Sequence, residues 1–300
     1  MSARGWALFL MMCVIWGIPY LLIKVAVDGV SVPVLVFART VIGAAVLLPL
    51  AFRAGGFAVV RRHWRPLLVF AIIEIIAPWW LLSDAERRVD SSLAALVIAS
   101  APIIAVVMLR AMGDSERLTP MRWAGLLVGL AGVAALVGPN LRGGDPWAVI
   151  ELLLTTCGYA AASLLVARKL GDVPGIPMTA VCLASTALVY TPAAVATWPA
   201  AMPSAGVLGA LAGLGVICTA VAFVTFFALI REVGPTRAMV FTYVNPVVAI
   251  AAGAVVLDEP VTWLMVAATA LILGGSAMAA GKRKEEPGRP APVAAVAETN

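Results

Sequence analysis

The sequence predicts an all-helical polytopic membrane protein: ten transmembrane helices arranged as two inverted five-helix repeats. Three observations lead to that class. Of 300 residues, 62% are hydrophobic and only 12% charged, with a mean hydropathy of +1.02, far from the balance of a soluble domain. The apolar residues fall in ten long runs, each close to the roughly 20 residues that cross a hydrocarbon core. The second half of the chain then repeats the first after an odd number of crossings. Long runs without period-2 alternation argue against a β-barrel. Too little chain remains for a soluble catalytic domain, a long extracellular domain or a nucleic-acid-binding surface, so no nucleic-acid partner is expected.

Taken in order, the runs place spans at 6–27, 33–52, 66–82, 91–112 and 122–137, then at 147–166, 178–198, 207–230, 237–257 and 262–280. The joints between them carry glycine, proline and charge, as turns do: Arg53-Ala54-Gly55-Gly56, Gly138-Pro139-Asn140, the stretch from Gly171 to Gly175 with Asp172 and Pro174, and Gly234-Pro235. The first apolar run exceeds a signal-peptide core and ends without a small-residue cleavage site, so it is expected to remain as a span. Residues 1–139 and 140–281 form the two repeats. Residues 282–300, opening on Lys282-Arg283-Lys284 and continuing rich in proline and alanine, lack apolar periodicity and are expected to be a disordered cytoplasmic tail.

Cytoplasmic loops collect lysine and arginine. With the N-terminus inside, the inner segments hold sixteen of the 21 cations; the outer loops hold three, Arg87, Arg88 and Arg142, and Lys24 and Arg39 lie within spans. This predicts cytoplasmic N- and C-termini. Cys13, Cys157, Cys182 and Cys218 all fall in spans, where a free thiol serves as a small apolar group.

The repeat is visible residue by residue. Val89-x-Ser91-Ser92-Leu93-Ala94 aligns with Val233-x-Pro235-Thr236-Arg237-Ala238. Ala101-Pro102 followed by Ala105 aligns with Asn245-Pro246 followed by Ala249, a shift of 144. One residue out of phase, Glu116 and Thr119 match Glu259 and Thr262, and Gly132 matches Gly275; Trp6 to Gly17 resembles Trp147 to Gly158. Because each half holds five spans, the second enters the membrane from the opposite side. Carriers with two pseudo-symmetric gates around a midplane site are built in this way.

These blocks carry a family resemblance. Ala85 through Ala95, then Pro102, then Asp114 to Thr119 and the series Gly125, Gly129, Gly132 resemble the EamA-like family of the drug/metabolite transporter superfamily. The second half repeats the pattern as Glu232-Val233-Gly234-Pro235-Thr236, Asn245-Pro246, Leu257 to Thr262, and Gly274-Gly275. The turn Gly113-Asp114-Ser115-Glu116 is slightly longer than the family pattern. The resemblance implies ten helices around a central cavity and movement of small metabolites such as amino acids without ATP hydrolysis. With the short loops, it implies a multi-pass protein of a bacterial inner membrane.

Candidate site residues follow from depth. Glu74, between Ile72-Ile73 and Ile75-Ile76, stands nearest the midplane, where an ionised carboxylate must face the bundle interior, find a cation or stay protonated. It can bind a substrate ammonium or exchange a coupling proton; alternatively it forms a fixed ion pair with Arg39 or caps a kink before Pro78. Arg39 has three readings: a clamp for a substrate carboxylate, a partner of Glu74, or an anchor snorkelling to the interface, as expected of Lys24. Glu151 reads as interfacial and His63 as part of a basic patch facing headgroups. Trp16, Tyr20, Trp79, Tyr159 and Tyr243 lie deep enough to line a pocket, or else pack in the core. Asn245 can hold substrate or bridge helices. Pro19, Pro78, Pro102, Pro192 and Pro246 interrupt spans, and the repeat singles out Pro102 and Pro246 for gating. Gly125, Gly129, Gly132, Gly274 and Gly275 suit close helix crossings.

The chain has one histidine, no phosphate-cradling loop and no cysteine–histidine cluster, so no cofactor, metal site or catalytic residue is expected and the protein is read as a non-enzyme. The expectation is a secondary-active carrier, an exporter of small amino-acid-like metabolites by alternating access, with substrate, lipid bilayer and protons as partners. The alternatives are a membrane scaffold and a lipid-modifying membrane enzyme.

Overall fold

The computed structural model describes residues 1–113 and 119–279. The expected tail at 282–300 and the turn containing Glu116 lie outside the described residues. Eight helices are long and apolar enough to cross a bilayer: Ala3–Val27, Val32–Ala54, Trp64–Ala85, Ser91–Ala111, Pro120–Gly138, Pro146–Lys169, Gly175–Ala196 and Ala205–Val233. Two shorter apolar helices, Asn245–Val256 and Trp263–Ala279, complete ten. They are called spans 1 to 10, span 9 being preceded by Pro235–Ala238 and a 3-10 segment at Met239–Tyr243.

Local chemistry sets the ends. Ser2, Ser31, Asp145 and Ser204 accept backbone N–H groups at the starts of spans 1, 2, 6 and 8, filling donors that a helix leaves unpaired. Gly55 and Gly234 end spans 2 and 8 at φ of 72° and 82°, where a Cβ would be strained. Inside the spans, Thr40, Thr156, Thr186 and Thr191 donate their hydroxyls to carbonyls four residues back, satisfying themselves where no water is at hand.

Packing follows the repeat. Spans 2 and 7 lie along each other, as do spans 5 and 10; span 1 packs on span 8 and, equivalently, span 6 on span 3. Glycines bring spans 5 and 10 into backbone contact. A Cβ on Gly275 would stand 2.6 Å from Gly129 Cα, and one on Gly125 2.6 Å from Ala279 N, whereas one on Gly274 would meet nothing within 4 Å. Three of the five expected crossing glycines thus sit at this contact, Gly132 stands beside it against Leu271 and Ile272, and Gly274 does not take part.

The spans break beside Pro19, Pro102 and Pro246 but not at Pro78, where span 3 stays helical after its wider stretch, nor at Pro192. Span 1 divides into Ala3–Ile15 and Pro19–Val27, and span 4 into Ser91–Ile98 and Ala101–Ala111. Span 9 begins regular helix at Asn245, directly before Pro246. Pro192, by contrast, lies within the continuous helix Gly175–Ala196; near the end of a helix a single lost N–H is tolerated. The expected joint at Gly138-Pro139-Asn140 is also helical, the helix running Pro120–Gly143. Falling hydropathy marked the edge of the apolar layer there, which is not where helical hydrogen bonding stops.

Spans 3 and 8 contain wider, π-helical stretches at Ala71–Ile76 and Gly213–Val221. The 144-residue shift of the repeat carries Glu74 in the first onto Cys218 in the second. Such segments loosen the i→i−4 ladder and re-aim side chains, often at functional sites.

Candidate functional site

Arg39 projects from span 2 into the junction of both repeats. It is 7% exposed. Its guanidinium carbon lies 3.6 Å from the centroid of Trp79 in span 3, and its Nε donates to Thr219 Oγ1 of span 8 at 3.0 Å. Thr219 in turn donates to Leu214 O at 2.8 Å, so the widened ladder of span 8 supplies the hydroxyl that orients the arginine. Stacking and one hydrogen bond fix the plane of the fork. The terminal nitrogens of Arg39 have no acceptor among the described residues.

Around that fork stand Tyr20 of span 1, Tyr159 of span 6 and, further away, Glu86, all within electrostatic reach of Arg39. Tyr159 is the meeting point, in reach of Glu74, Tyr20, Arg39 and Glu86 together. Glu74 is half-buried in the π-helical turn of span 3 and forms no hydrogen bond or ion pair among the described residues. Its electrostatic neighbours are Tyr159 and Cys182, and it makes no ion pair with Arg39 among the described residues. Tyr20, Glu74 and Tyr159 are each half-buried between the spans.

Trp16 and Asn245 belong to a second cluster, with Met12, Cys13, Leu229 and Phe241. Trp16 packs against Phe223, Phe226 and Phe241 with ring centroids 5.7, 5.1 and 5.3 Å apart. The Asn245 amide nitrogen, oriented to satisfy its donors, reaches Phe241 O at 3.1 Å and Cys13 O at 3.2 Å. It therefore bridges the breaks of spans 1 and 9, serving a carbonyl near the first break. Tyr243 is half-buried at the end of the 3-10 segment. Pro102 and Pro246 stand at the equivalent breaks of spans 4 and 9.

Three further predicted residues have specific partners. Lys24 Nζ donates to Glu86 O at 2.7 Å and Val89 O at 2.9 Å, closing the carbonyl end of span 3. Glu151, about a turn inside the start of span 6, is 3% exposed and held by Arg88, which also binds Asp84 at 2.6 Å and Asp145 at 2.9 Å. His63 takes part in more than a headgroup patch, since its Nε2 lies 3.6 Å from Asp172.

Two residues escaped the sequence reading. Glu259 accepts Ser91 N at 2.8 Å, Ser92 N at 3.1 Å and Ser92 Oγ at 2.5 Å, so a loop of the second repeat caps the helix that begins span 4 in the first. Burial pushes its carboxyl up, but the hydrogen bonds from Ser92 and Ser91 prevail and hold it below the usual range. Gly253 makes room, since a Cβ there would stand 2.5 Å from Glu259 Oε2. Glu86 is wholly buried, and neither carboxyl oxygen has a hydrogen-bond partner among the described residues. In the sequence it stands among Asp84, Arg87 and Arg88, where no local pattern marks its burial.

Polytopic helices in an inverted repeat, broken in equivalent places and converging on a charged, aromatic-lined centre, define a membrane transporter. Comparison with known proteins makes the assignment specific. The profile described as the EamA-like transporter family matches twice, over residues 3–138 and 146–281. The chain belongs to the EamA-like transporter family. It is 30% identical over 250 residues to the "Uncharacterized inner membrane transporter YedA" of Escherichia coli (strain K12), covering 80% of this chain and 78% of that one. It is 29% identical to the "Probable terminal-alkyne amino-acid exporter" of Streptantibioticus cattleyicolor, over 96% and 99% of the two chains. It is 28% identical to the "Aromatic amino acid exporter YddG" of Ancylobacter novellus, over 84% and 88%. A solved crystal structure 24% identical in sequence shares the fold with a TM-score of 0.66, over 93% of this chain and 98% of its own.

Proposed function

We propose that this protein is a secondary-active exporter of zwitterionic, amino-acid-like metabolites. It works by alternating access in a bacterial inner membrane, with both termini cytoplasmic. The observation that carries the reading is Arg39: a buried guanidinium, fixed by Trp79 and Thr219, with its terminal nitrogens unused. A planar fork of two donors matches a carboxylate. Glu74 supplies a carboxylate across the same space for the substrate ammonium, while Tyr20, Trp79 and Tyr159 offer aromatic walls to its side chain. Two relatives named as amino-acid exporters support the substrate class, and the "inner membrane" in the name of a third supports the location.

The proposed state is open to the cytoplasm. The first half of span 4, Ser91–Ile98, buries seven of its eight residues, against one of eleven in the second half, Ala101–Ala111. Glu259, Lys24 and Arg88 tie the opposite face shut. Rocking of the repeats about the breaks at Pro102 and Pro246 would exchange the two openings. Counterflow of labelled amino acids into liposomes bearing the purified protein tests this reading: saturable exchange of a zwitterion is expected, and its absence across a panel of amino acids would overturn it.

A further inference from the structure

Glu86 has no part in the reading above, although it is the most completely buried acid in the described chain. It ends span 3, seven residues beyond Trp79, and its side chain is 0% exposed with both oxygens unpartnered. Ser83, one turn earlier, and Ser91, across the turn to span 4, also hold buried hydroxyls without partners. Three sealed polar groups lacking partners are costly.

The groups facing Glu86 come from every element around it. Span 1 contributes Lys24 and Tyr20, span 2 Arg39, span 6 Tyr159, and the loop before span 10 Glu259. None forms an ion pair with its carboxyl: Lys24 is occupied by the carbonyls of Glu86 and Val89, Arg39 by Trp79 and Thr219. Glu259 is held as an anion by the Ser91–Ser92 cap and opposes a second negative charge nearby. Burial and the neighbouring Glu259 carboxylate favour the protonated form of this carboxyl and outweigh the opposing pull of Lys24 and Arg39.

We propose that Glu86 is a proton-binding site whose loading accompanies closure of the face opposite the N-terminus. Sealing buries the carboxyl in its neutral form; opening the cap between Glu259 and Ser91–Ser92 admits water and lets it ionise. This rests on the transporter reading and assigns its coupling step. Burial pushes the Glu86 carboxyl well above the carboxylate range in the sealed form. A group with a higher pKa when sealed favours sealing as the pH falls, and that preference is lost as the pH rises through the sealed-form value. Proton arrival from the outer side would thus close the outer gate of an exporter.

The test uses substrate-free protein in nanodiscs, with its four cysteines replaced and Ser83→Cys as a probe of the sealed junction, labelled by a membrane-impermeant maleimide. After correction for the thiol's own ionisation in denatured protein, labelling should rise by up to about tenfold per pH unit, the limit for one linked proton. Glu86→Gln should hold labelling low and flat, and Glu86→Asp, which retains a titrating carboxyl, should restore a rise. A flat profile with Glu86 intact overturns the proposal even if the glutamine variant fails to fold. So does an unchanged profile in Glu86→Gln, or a response to sodium replaced by choline at fixed pH, which would make this an alkali-cation site. Because no amino acid is present, the proton site stands or falls separately from counterflow, whose failure would remove only the transport reading.

Discussion

The Nε of Arg39 lies 3.0 Å from Thr219 Oγ1, so a side chain of the first repeat is oriented by a hydroxyl of the second. The guanidinium is therefore placed at the boundary across which the halves of an alternating-access carrier move. Its stack on Trp79, 3.6 Å away, keeps the plane of the fork, and the combination pairs orientation with unused donors.

Arg39→Lys keeps the charge but loses the fork and the Nε donor. Substrate affinity in equilibrium binding should fall by about tenfold or more, the equivalent of about 1.4 kcal/mol, with the thermal midpoint of the apo protein little changed. Thr219→Val, which removes the orienting hydroxyl alone, should produce a smaller loss in the same direction.

The cap made by Glu259 predicts a stability effect and its pH dependence. Gly253→Ala would place a methyl 2.5 Å from Glu259 Oε2 and should destabilise the protein by about 1–3 kcal/mol through the lost cap. The Glu259 carboxyl is held below its ordinary value of about 4.3. Its contribution is present above that value and is lost as the pH falls through the depressed one. Thermal scans between about pH 3 and 6 should show an acid-side loss that Glu259→Gln flattens.

Spans 5 and 10 allow a matched comparison. Gly275→Ala must push apart two backbones in contact, whereas Gly274→Ala meets nothing within 4 Å. The first should lower stability by about 1–3 kcal/mol, the cost of overpacking, and the second should leave it nearly unchanged, as judged by thermal unfolding in detergent. Equal effects would contradict the crossing described.

The difference between these neighbouring glycines illustrates what the sequence can carry. Composition and the 144-residue shift made the ten helices and the breaks before Pro102 and Pro246 legible, because proline acts locally and periodicity survives without coordinates. The same logic missed the helix through Pro139, where polarity changed before the backbone turned. Arg39 and Trp79 were both singled out by depth, but their stacking depends on the rotation of two helices, which no local pattern encodes. The π-helical turns left no compositional trace. The burial of Glu86, Glu259 and Glu151 was not legible, because the partners that enclose them, more than sixty residues away for Glu151 and Arg88, are brought in only by the packing of the helices.

Glu74 tests the central claim most directly. Its carboxyl is half-buried in span 3, makes no ion pair among the described residues and lies within electrostatic reach of Tyr159, so Glu74→Gln removes a titratable carboxyl without breaking a structural bridge. Counterflow of a labelled zwitterionic amino acid in proteoliposomes should fall at least about tenfold in this variant, the equivalent of about 1.4 kcal/mol, while its thermal midpoint and monodispersity match the parent. Undiminished counterflow in Glu74→Gln would contradict the account.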